Sequence, residues 1–158
     1  MSDKPPYGSY AALVAVYAGG LATAGLLARR LDRTPAHITP LDFAILAAAN
    51  FKAARAIAGD EVTSFARDPF VEGTAESGEG EEPAQTGGMQ QAIGELVTCT
   101  RCIGTWTAAG LTATQILAPR FGRMLVWSLA ASGTTDYLLA GFNALTSKAN
   151  LLEQQAPD

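Results

Sequence analysis

The sequence has little of what most enzymes and nucleic-acid-binding proteins need. Its 158 residues include one histidine and two cysteines, and its formal net charge of -4 offers no basic surface to nucleic acid. Two cysteines are too few for a disulfide framework. No nucleophile with a neighbouring base, no pair of catalytic carboxylates and no phosphate-binding glycine loop is visible. We therefore expect a single domain, residues 1–158, with no enzyme active site, no cofactor and no nucleic-acid partner.

Charge is also missing from long windows of the chain. Nine of the fifteen acidic residues lie between Asp60 and Glu95, although a soluble helix shows charge on every turn or so. About twenty apolar residues in a helix span roughly 30 Å, the thickness of a hydrocarbon core. The pattern predicts an all-α integral membrane bundle, multi-pass in the cell membrane. Its four transmembrane helices are predicted at about residues 9–28, 39–58, 102–118 and 124–146.

The first two segments differ most in their charge content. The first segment is uncharged and is followed by Arg29 and Arg30 rather than by a small-residue cleavage site, which favours a retained helix over a signal peptide. The second contains Asp42, Lys52 and Arg55, and a central cation costs about 2.5–3.5 kcal/mol on insertion scales. This segment either spans with its cations shielded by neighbouring helices or lies in the interface, and we favour spanning.

The segment between the second and third helices is hydrophilic. From about residue 71 to 88 it is rich in Gly, Ser, Pro and Glu, a composition that cannot offset the entropy of ordering. We expect a long acidic flexible loop over 71–88, followed by a short amphipathic helical stretch over 89–98.

Small residues recur four positions apart in two of the helices, a spacing that lets helix backbones approach closely in lipid. One ridge lies in the first helix and the other in the third: Ala11, Ala15, Gly19 and Thr23, and Gly104, Ala108 and Thr112. The ridges predict close helix packing within one chain or between chains. They favour a homo-oligomer or a membrane complex.

The fourth helix is uncharged except for Asp136. If the helices alternate in direction, a rise of 1.5 Å per residue puts Asp136 ~20 Å along its helix, level with Lys52 at ~18 Å and Arg55 at ~22 Å. Ionisable groups within a membrane usually face the bundle interior and form pairs. We predict an intramembrane charge pair between Asp136 and Lys52 or Arg55 that holds the second and fourth helices together.

Cys99 and Cys102 stand at the start of the third helix, with Arg101 between them. A helix N-terminus and a neighbouring cation lower a thiol pKa, which suits a redox pair, whereas tetrahedral zinc needs four ligands. The one histidine, His37, belongs to the opposite turn, so that a zinc ion would have to be shared between two chains. Inert cysteines, a disulfide and a shared metal are all open.

A longer ordered set of residues resembles a known family. The set runs from Lys52, Arg55, Asp60 and Val62 through Arg67-Asp68-Pro69-Phe70 and an acidic insert to Gly94-Glu95-Leu96-Val97-Thr98-Cys99, Cys102, Gly104 and Trp106. It is similar to the bacterial membrane family catalogued as domain of unknown function 1360, some members of which are labelled sporulation proteins. The resemblance covers roughly residues 41–148 and implies a multi-span helical membrane protein without an assigned activity.

The charged residues of this set also suggest a cluster at the membrane surface. Asp60 and Arg67 flank the end of the second helix and Glu95 precedes the third. Ion pairs among them would hold these two helix ends in position at the membrane surface. A solvated loop is the equal alternative, because exposed pairs contribute only about 0–1 kcal/mol each.

Three functions follow from these features, in order of preference. The first is a non-catalytic structural or assembly subunit in the lipid bilayer. The second is a thiol-redox or metal-binding membrane protein that acts through Cys99 and Cys102. The third is a small ion or solute carrier that uses Asp136. Lysine and arginine are balanced between the two sides of the predicted bundle, so the orientation stays open.

Overall fold

The computed structural model describes residues 5–33, 38–72 and 81–155. This part of the chain forms six α-helices, two 3-10 turns and one two-stranded sheet. In chain order the elements are α1 (Tyr7–Arg30), α2 (Pro40–Gly59), a 3-10 turn (Glu61–Thr63), α3 (Ser64–Arg67), a second 3-10 turn (Asp68–Phe70), β1 (Val71–Glu72), β2 (Glu82–Pro83), α4 (Met89–Thr98), α5 (Thr100–Leu117) and α6 (Pro119–Gln155).

The start of α2 is set by its local sequence. The backbone N–H of Asp42 donates to the Thr39 side chain, and the Asp42 carboxylate accepts from the Thr39 N–H at 2.9 Å, which makes a capping box. Pro40 occupies the first turn, where its missing N–H leaves nothing unpaired. These partners satisfy donors that a helix N-terminus otherwise leaves free.

α2 packs against both α5 and α6, which also contact each other. At the crossing with α6, a Cβ placed on Gly133 would lie 3.0 Å from the carbonyl oxygen of Ala48 and 3.2 Å from the Cβ of Lys52. Backbones this close leave room for small side chains only. The buried apolar residues are accordingly mostly alanines: Ala49, Ala54, Ala58, Ala84, Ala92, Ile103, Leu111, Val126 and Ala130.

The turn from α5 into α6 depends on a glycine. A Cβ on Gly122 would lie 2.6 Å from both the backbone nitrogen and the Cα of Gln115, so that no larger residue fits. α6 then continues for 37 residues, which corresponds to roughly 56 Å. Beyond Asp136 its described side chains are all exposed.

α1 lies against α4 and α5 and is exposed on its other faces. The rings of Tyr17 and Trp106 meet edge to face, with centroids 5.3 Å apart. Directly after α1, the Arg33 guanidinium donates to the carbonyl oxygen of Leu117 at the end of α5. An aromatic contact thus joins the middle of α1 to α5, and a hydrogen bond joins the residues that follow α1 to the end of α5.

The predicted all-α fold class is confirmed, and the four predicted helices correspond to α1, α2, α5 and α6. The predicted count of membrane spans differs, because among the described helices α1 alone is long and apolar enough to cross a bilayer by length and composition. Any stretch of 18 residues within α2, about the length that a membrane span needs, contains the three charged residues Asp42, Lys52 and Arg55. α2 is therefore too charged to be a span by composition. α5 carries Arg101 and several threonines, and α6 carries Asp136, which makes both less apolar than α1.

The segment predicted as a flexible loop over 71–88 is ordered at both ends. β1 and β2 pair in antiparallel register. α4 packs against β2 and against the second 3-10 turn, so closely that a Cβ on Gly94 would clash with the carbonyl oxygen of Phe70 in that turn. Residues 73–80 lie outside the described ranges. Two-residue strands leave no periodic pattern in a sequence, which is why the composition of this segment indicated a loop.

Candidate functional site

One charged pair joins α2 to α6. Lys52 Nζ donates to Asp136 Oδ2 at 2.9 Å, and Asp60 Oδ2 lies 3.9 Å from the same nitrogen. The Lys52 side chain is 21% exposed and that of Asp136 is 43% exposed. Beside the pair, the rings of Phe51 and Tyr137 stack with their centroids 5.0 Å apart. The structure therefore brings Lys52 and Asp136 together, and their position within a membrane stays a prediction.

Arg55, the alternative partner for Asp136, does not join this pair. Its side chain is exposed, and its guanidinium carbon lies 5.8 Å from the ring centroid of Phe51 on the same helix. The cation–π contact accounts for its orientation. Of the two cations on α2, only Lys52 reaches the carboxylate.

A polar contact also joins α2 to α5. Thr107 Oγ1 donates to Asn50 Oδ1 at 2.5 Å, and both residues are half-buried. Nearby, a Cβ on Gly104 would lie 3.7 Å from the Cβ of Ala54. The small-residue ridge predicted on this helix thus faces α2 at Gly104.

Arg67 is the buried charged residue of the described ranges, and it is 1% exposed. Its Nε and Nη2 donate to the two carboxylate oxygens of Glu81 at 2.7 and 2.9 Å. Its Nη1 donates to Thr63 Oγ1 at 2.8 Å and to the carbonyl oxygens of Ile57 and Asp60 at 2.8 and 3.1 Å. Because carbonyls at a helix C-terminus have no partner within the helix, Arg67 caps α2 while it binds Glu81.

Arg67 and Glu81 stay ionised together. The hydrogen bonds from Arg67 hold the pKa of the Glu81 carboxyl below its ordinary value, although burial alone would raise it. The Glu81 side chain is 5% exposed, and bidentate pairs of this kind are stronger than neutral hydrogen bonds. The pair ties the acidic segment to the end of α2.

The predicted cluster of Asp60, Arg67 and Glu95 is not assembled in that form. Arg67 binds Glu81, and Asp60 contributes its backbone carbonyl to Arg67 while its carboxylate faces Lys52. Glu95 lies on α4 and bonds elsewhere. Sequence reasoning missed Glu81 because it stands in the segment predicted to be flexible, 14 residues away from its partner.

The two cysteines form a pair at the start of α5. Cys99 is the N-cap residue of α5, and its Sγ accepts the backbone N–H of Cys102 at 3.3 Å. Both thiols are free; Cys99 is half-buried and Cys102 is exposed. A hydrogen bond from the Cys102 thiol lowers the pKa of the Cys99 thiol, and backbone N–H groups at the helix start add to this effect.

Metal ligands do not converge in the part of the chain that the structure describes. No group of three or more His, Cys, Asp or Glu side chains there is placed to hold a metal ion. His37 lies outside the described residues. Zinc shared between two chains at Cys99 and Cys102 stays a prediction.

A cleft of about 340 Å³ lies between α1, α4 and α5. Its walls are mostly apolar, and Trp106 forms part of them together with the exposed Cys102. Its polar groups centre on Glu95, which accepts hydrogen bonds from the Tyr10 hydroxyl and, at 2.9 Å, from Gln91 Nε2. The cleft is the place in the described structure where a thiol, a carboxylate and an apolar cavity meet.

These features define the class of protein: an α-helical bundle whose described part has an alanine-rich core, a buried ion pair between Arg67 and Glu81 and a half-buried one between Lys52 and Asp136. The chain belongs to the family described as Protein of unknown function (DUF1360). The family model matches residues 45–141, which is more than half of the chain. The match includes Lys52, Arg67, Glu81, both cysteines and Asp136, and it leaves out α1. Comparison with curated proteins and with solved structures finds no match.

Proposed function

We propose that this protein is a small multi-pass protein of the cell membrane with a structural or assembly role rather than a catalytic one. In this proposal α1, α2, α5 and α6 sit in the lipid bilayer, and α3, α4 and the short sheet lie at its surface. The chain then works as a subunit of a homo-oligomer or of a larger membrane complex.

The distribution of large and small apolar residues carries the proposal. Ala49 and Ala54 in the core are 0% and 3% exposed, whereas Phe43, Leu138 and Phe142 on the outside are 69%, 69% and 63% exposed. Soluble monomers rarely expose large contiguous apolar patches. In lipid, by contrast, small residues line the contacts between helices and large apolar residues meet acyl chains.

The polar contacts between helices agree with this reading. Hydrogen bonds such as the one between Thr107 and Asn50 hold helices together in a bilayer, where burying an apolar side chain gains little. Asp136 is bonded to Lys52, which favours a structural role for this carboxylate over use as a carrier site. With Lys52 and Asp136 paired, α2 and α6 are tolerated in lipid, although Arg55 stays exposed and neither helix is as apolar as α1.

A fractionation experiment tests the membrane part of the proposal. We expect the full chain to sediment with membranes, to resist extraction by alkaline carbonate and to dissolve only with detergent, because its exposed apolar side chains require acyl chains or surfactant around them. A peripheral protein in the same membranes, which alkaline carbonate releases, is the control. Recovery of a compact monomer from the soluble fraction without detergent would show that the proposal is wrong.

The outer face of α1 supports assembly with a second chain. Its ridge residues Ala11, Ala15, Gly19 and Thr23 are all exposed, and no atom lies within 4 Å of a Cβ placed on Gly19. The ridge points away from the side of α1 that carries Tyr17, which contacts α5. Helix backbones approach closely along such ridges in membranes.

Gly19→Leu is therefore expected to weaken self-association in detergent about tenfold, because the larger side chain separates the two backbones. Gly20→Leu is the matched control, since Gly20 is also free of neighbours but lies off the ridge. Analytical ultracentrifugation of both variants measures the effect. An equal loss of association in both, or in neither, counts against the ridge as the contact surface.

A further inference from the structure

Cys99 and Cys102 are placed for a reversible disulfide. Cys99 is the N-cap residue of α5, so its backbone is extended rather than helical. Its Sγ accepts hydrogen bonds from both the backbone N–H and the thiol of Cys102, so the two sulfurs are neighbours, as the formation of an S–S bond requires. Cys99 accepts a hydrogen bond from the N-terminal turn of α5, the position that favours a thiolate. Both thiols are free, and Cys102 is exposed.

The exposed thiol of this pair opens into the cleft between α1, α4 and α5. Leu13, Tyr17, Leu96 and Trp106 provide apolar and aromatic walls, and the hydroxyls of Tyr10 and Thr105 also line it. Such walls suit a flat, apolar ring. The Thr105 hydroxyl is a donor for a ring carbonyl oxygen, whereas the Tyr10 hydroxyl already donates to Glu95. Glu95, hydrogen-bonded to Tyr10, places a carboxylate in the same space.

We propose that Cys99 and Cys102 form a redox dithiol that is oxidised by a lipid-soluble quinone bound in this cleft. The proposal goes beyond the structural role above and rests on it in one respect: the membrane would supply the quinone. The two cysteines and the two helices α4 and α5 that line the cleft lie in the region matched by the family model. α1, which forms the third side of the cleft, lies outside that region.

The chemistry balances as one two-electron transfer. The Cys102 sulfur adds to a ring carbon of the quinone, and the ring takes up the electron pair and one proton. The Cys99 thiolate then attacks Cys102 Sγ, so that the S–S bond forms as the C–S bond breaks. The electron pair of that bond stays on the ring, which takes a second proton and leaves as hydroquinone. Both protons come from the two thiols.

The test uses the full reduced chain in detergent without oxygen, with a short-tailed, fully ring-substituted benzoquinone as the probe. We expect both thiols to be lost, one hydroquinone to form per chain and the protein mass to fall by two hydrogen atoms. Cys99→Ser and Cys102→Ser should each abolish hydroquinone formation. Because detergent replaces the bilayer, this assay reports on the cleft and the dithiol, while the carbonate extraction reports separately on the membrane.

Glutathione disulfide, which reaches the thiols from water, distinguishes the cleft from general thiol reactivity. Leu13→Trp fills the cleft and should slow oxidation by the quinone about tenfold or more, with the glutathione disulfide rate unchanged. Leu27→Trp makes the same change further along α1 at an exposed position away from the cleft, and it should behave as wild type. If Leu13→Trp fails to fold, Thr105→Leu fills the cleft from α5 and serves in its place.

Three results would overturn the proposal. Thiols that glutathione disulfide oxidises but the quinone does not would show a redox pair without a quinone site. Equal quinone rates in Leu13→Trp and Leu27→Trp would separate the reaction from the cleft. Thiols that neither reagent oxidises would show that the pair is inert.

Discussion

Glu81→Gln is expected to lower the free energy of unfolding by about 3–5 kcal/mol, the cost of leaving one member of a buried ion pair without its partner. The Arg67 guanidinium that remains is 1% exposed and cannot turn to water. It would still meet three oxygen acceptors near the end of α2, but it would lose the one carboxylate to which it is hydrogen-bonded. Glutamine keeps the size of the side chain, so that the loss measures charge and hydrogen bonding rather than volume.

The matched control is Glu82→Gln, one residue further along. Glu82 is exposed and makes no ion pair with Arg67, so its substitution should change the stability by less than about 0.5 kcal/mol. Chemical unfolding of the detergent-solubilised protein, followed by circular dichroism, measures both variants. Equal stability of the two variants would mean that the contact between Arg67 and Glu81 does not contribute to the folded state.

The same pair predicts the direction of the response to acid. Arg67 lowers the pKa of Glu81 in the folded protein, so that the stabilisation is fully present above the ordinary glutamate pKa of about 4.3. It is lost as the pH falls from there through the lowered folded value, where the carboxylate takes up a proton. Glu81→Gln should therefore flatten the loss of stability in acid relative to wild type. A parallel pH profile in the two proteins would contradict this assignment.

Asp136→Asn is expected to destabilise the protein in lipid bicelles by about 2.5 kcal/mol, because it removes the hydrogen-bonded carboxylate partner of the Lys52 ammonium at membrane depth and leaves only the more distant Asp60, 3.9 Å away. In the structure Lys52 Nζ and Asp136 Oδ2 are 2.9 Å apart. A pair of this kind surrounded by water would contribute only about 0–1 kcal/mol. The size of the effect therefore reports on whether the pair lies in lipid, which distance alone does not decide.

The control for this experiment is Arg55→Gln on the same helix, because Arg55 contacts a ring rather than a carboxylate. Lys52→Met and Asp136→Leu are also made singly and together. The double variant removes both charges and should recover most of the stability lost in either of these two single variants. The double-mutant cycle gives the coupling energy directly. A coupling energy near zero in bicelles would show that the pair does not hold α2 to α6.

Sequence reasoning reached the Lys52–Asp136 contact because helices advance by a constant rise. Lys52 and Asp136 lie at nearly equal distances from the starts of their helices, which placed them at the same depth. Because the residues around each are mostly apolar, each had few other charged partners. The same reasoning kept Arg55 open as a partner, since residues three apart share a depth and nearly a face. Its stacking on Phe51 became visible only with the side chains in place.

Sequence reasoning did not reach the partner of Arg67. The composition around Glu81 indicated a flexible segment. Arg67 and Glu81 are 14 residues apart and are not on one regular helix or strand, so no periodic spacing in the sequence predicts that they pair. Gly94 carried no signal either, because its role depends on the carbonyl of Phe70 lying against α4. The cleft arises likewise from three helices meeting, one of which lies outside the family match.

The sequence by itself determined the helices longer than one turn, the small-residue ridges, the position of the cysteines at a helix start and the family, because each follows from local spacing along one chain. Tertiary structure alone decided that Arg67 binds Glu81, that Gly122 lets α5 fold back on α6, and that Cys102 opens into an apolar cleft. Those outcomes depend on which backbones come within a few ångströms of each other. No local pattern encodes such distances, since they are set by the packing of the whole bundle.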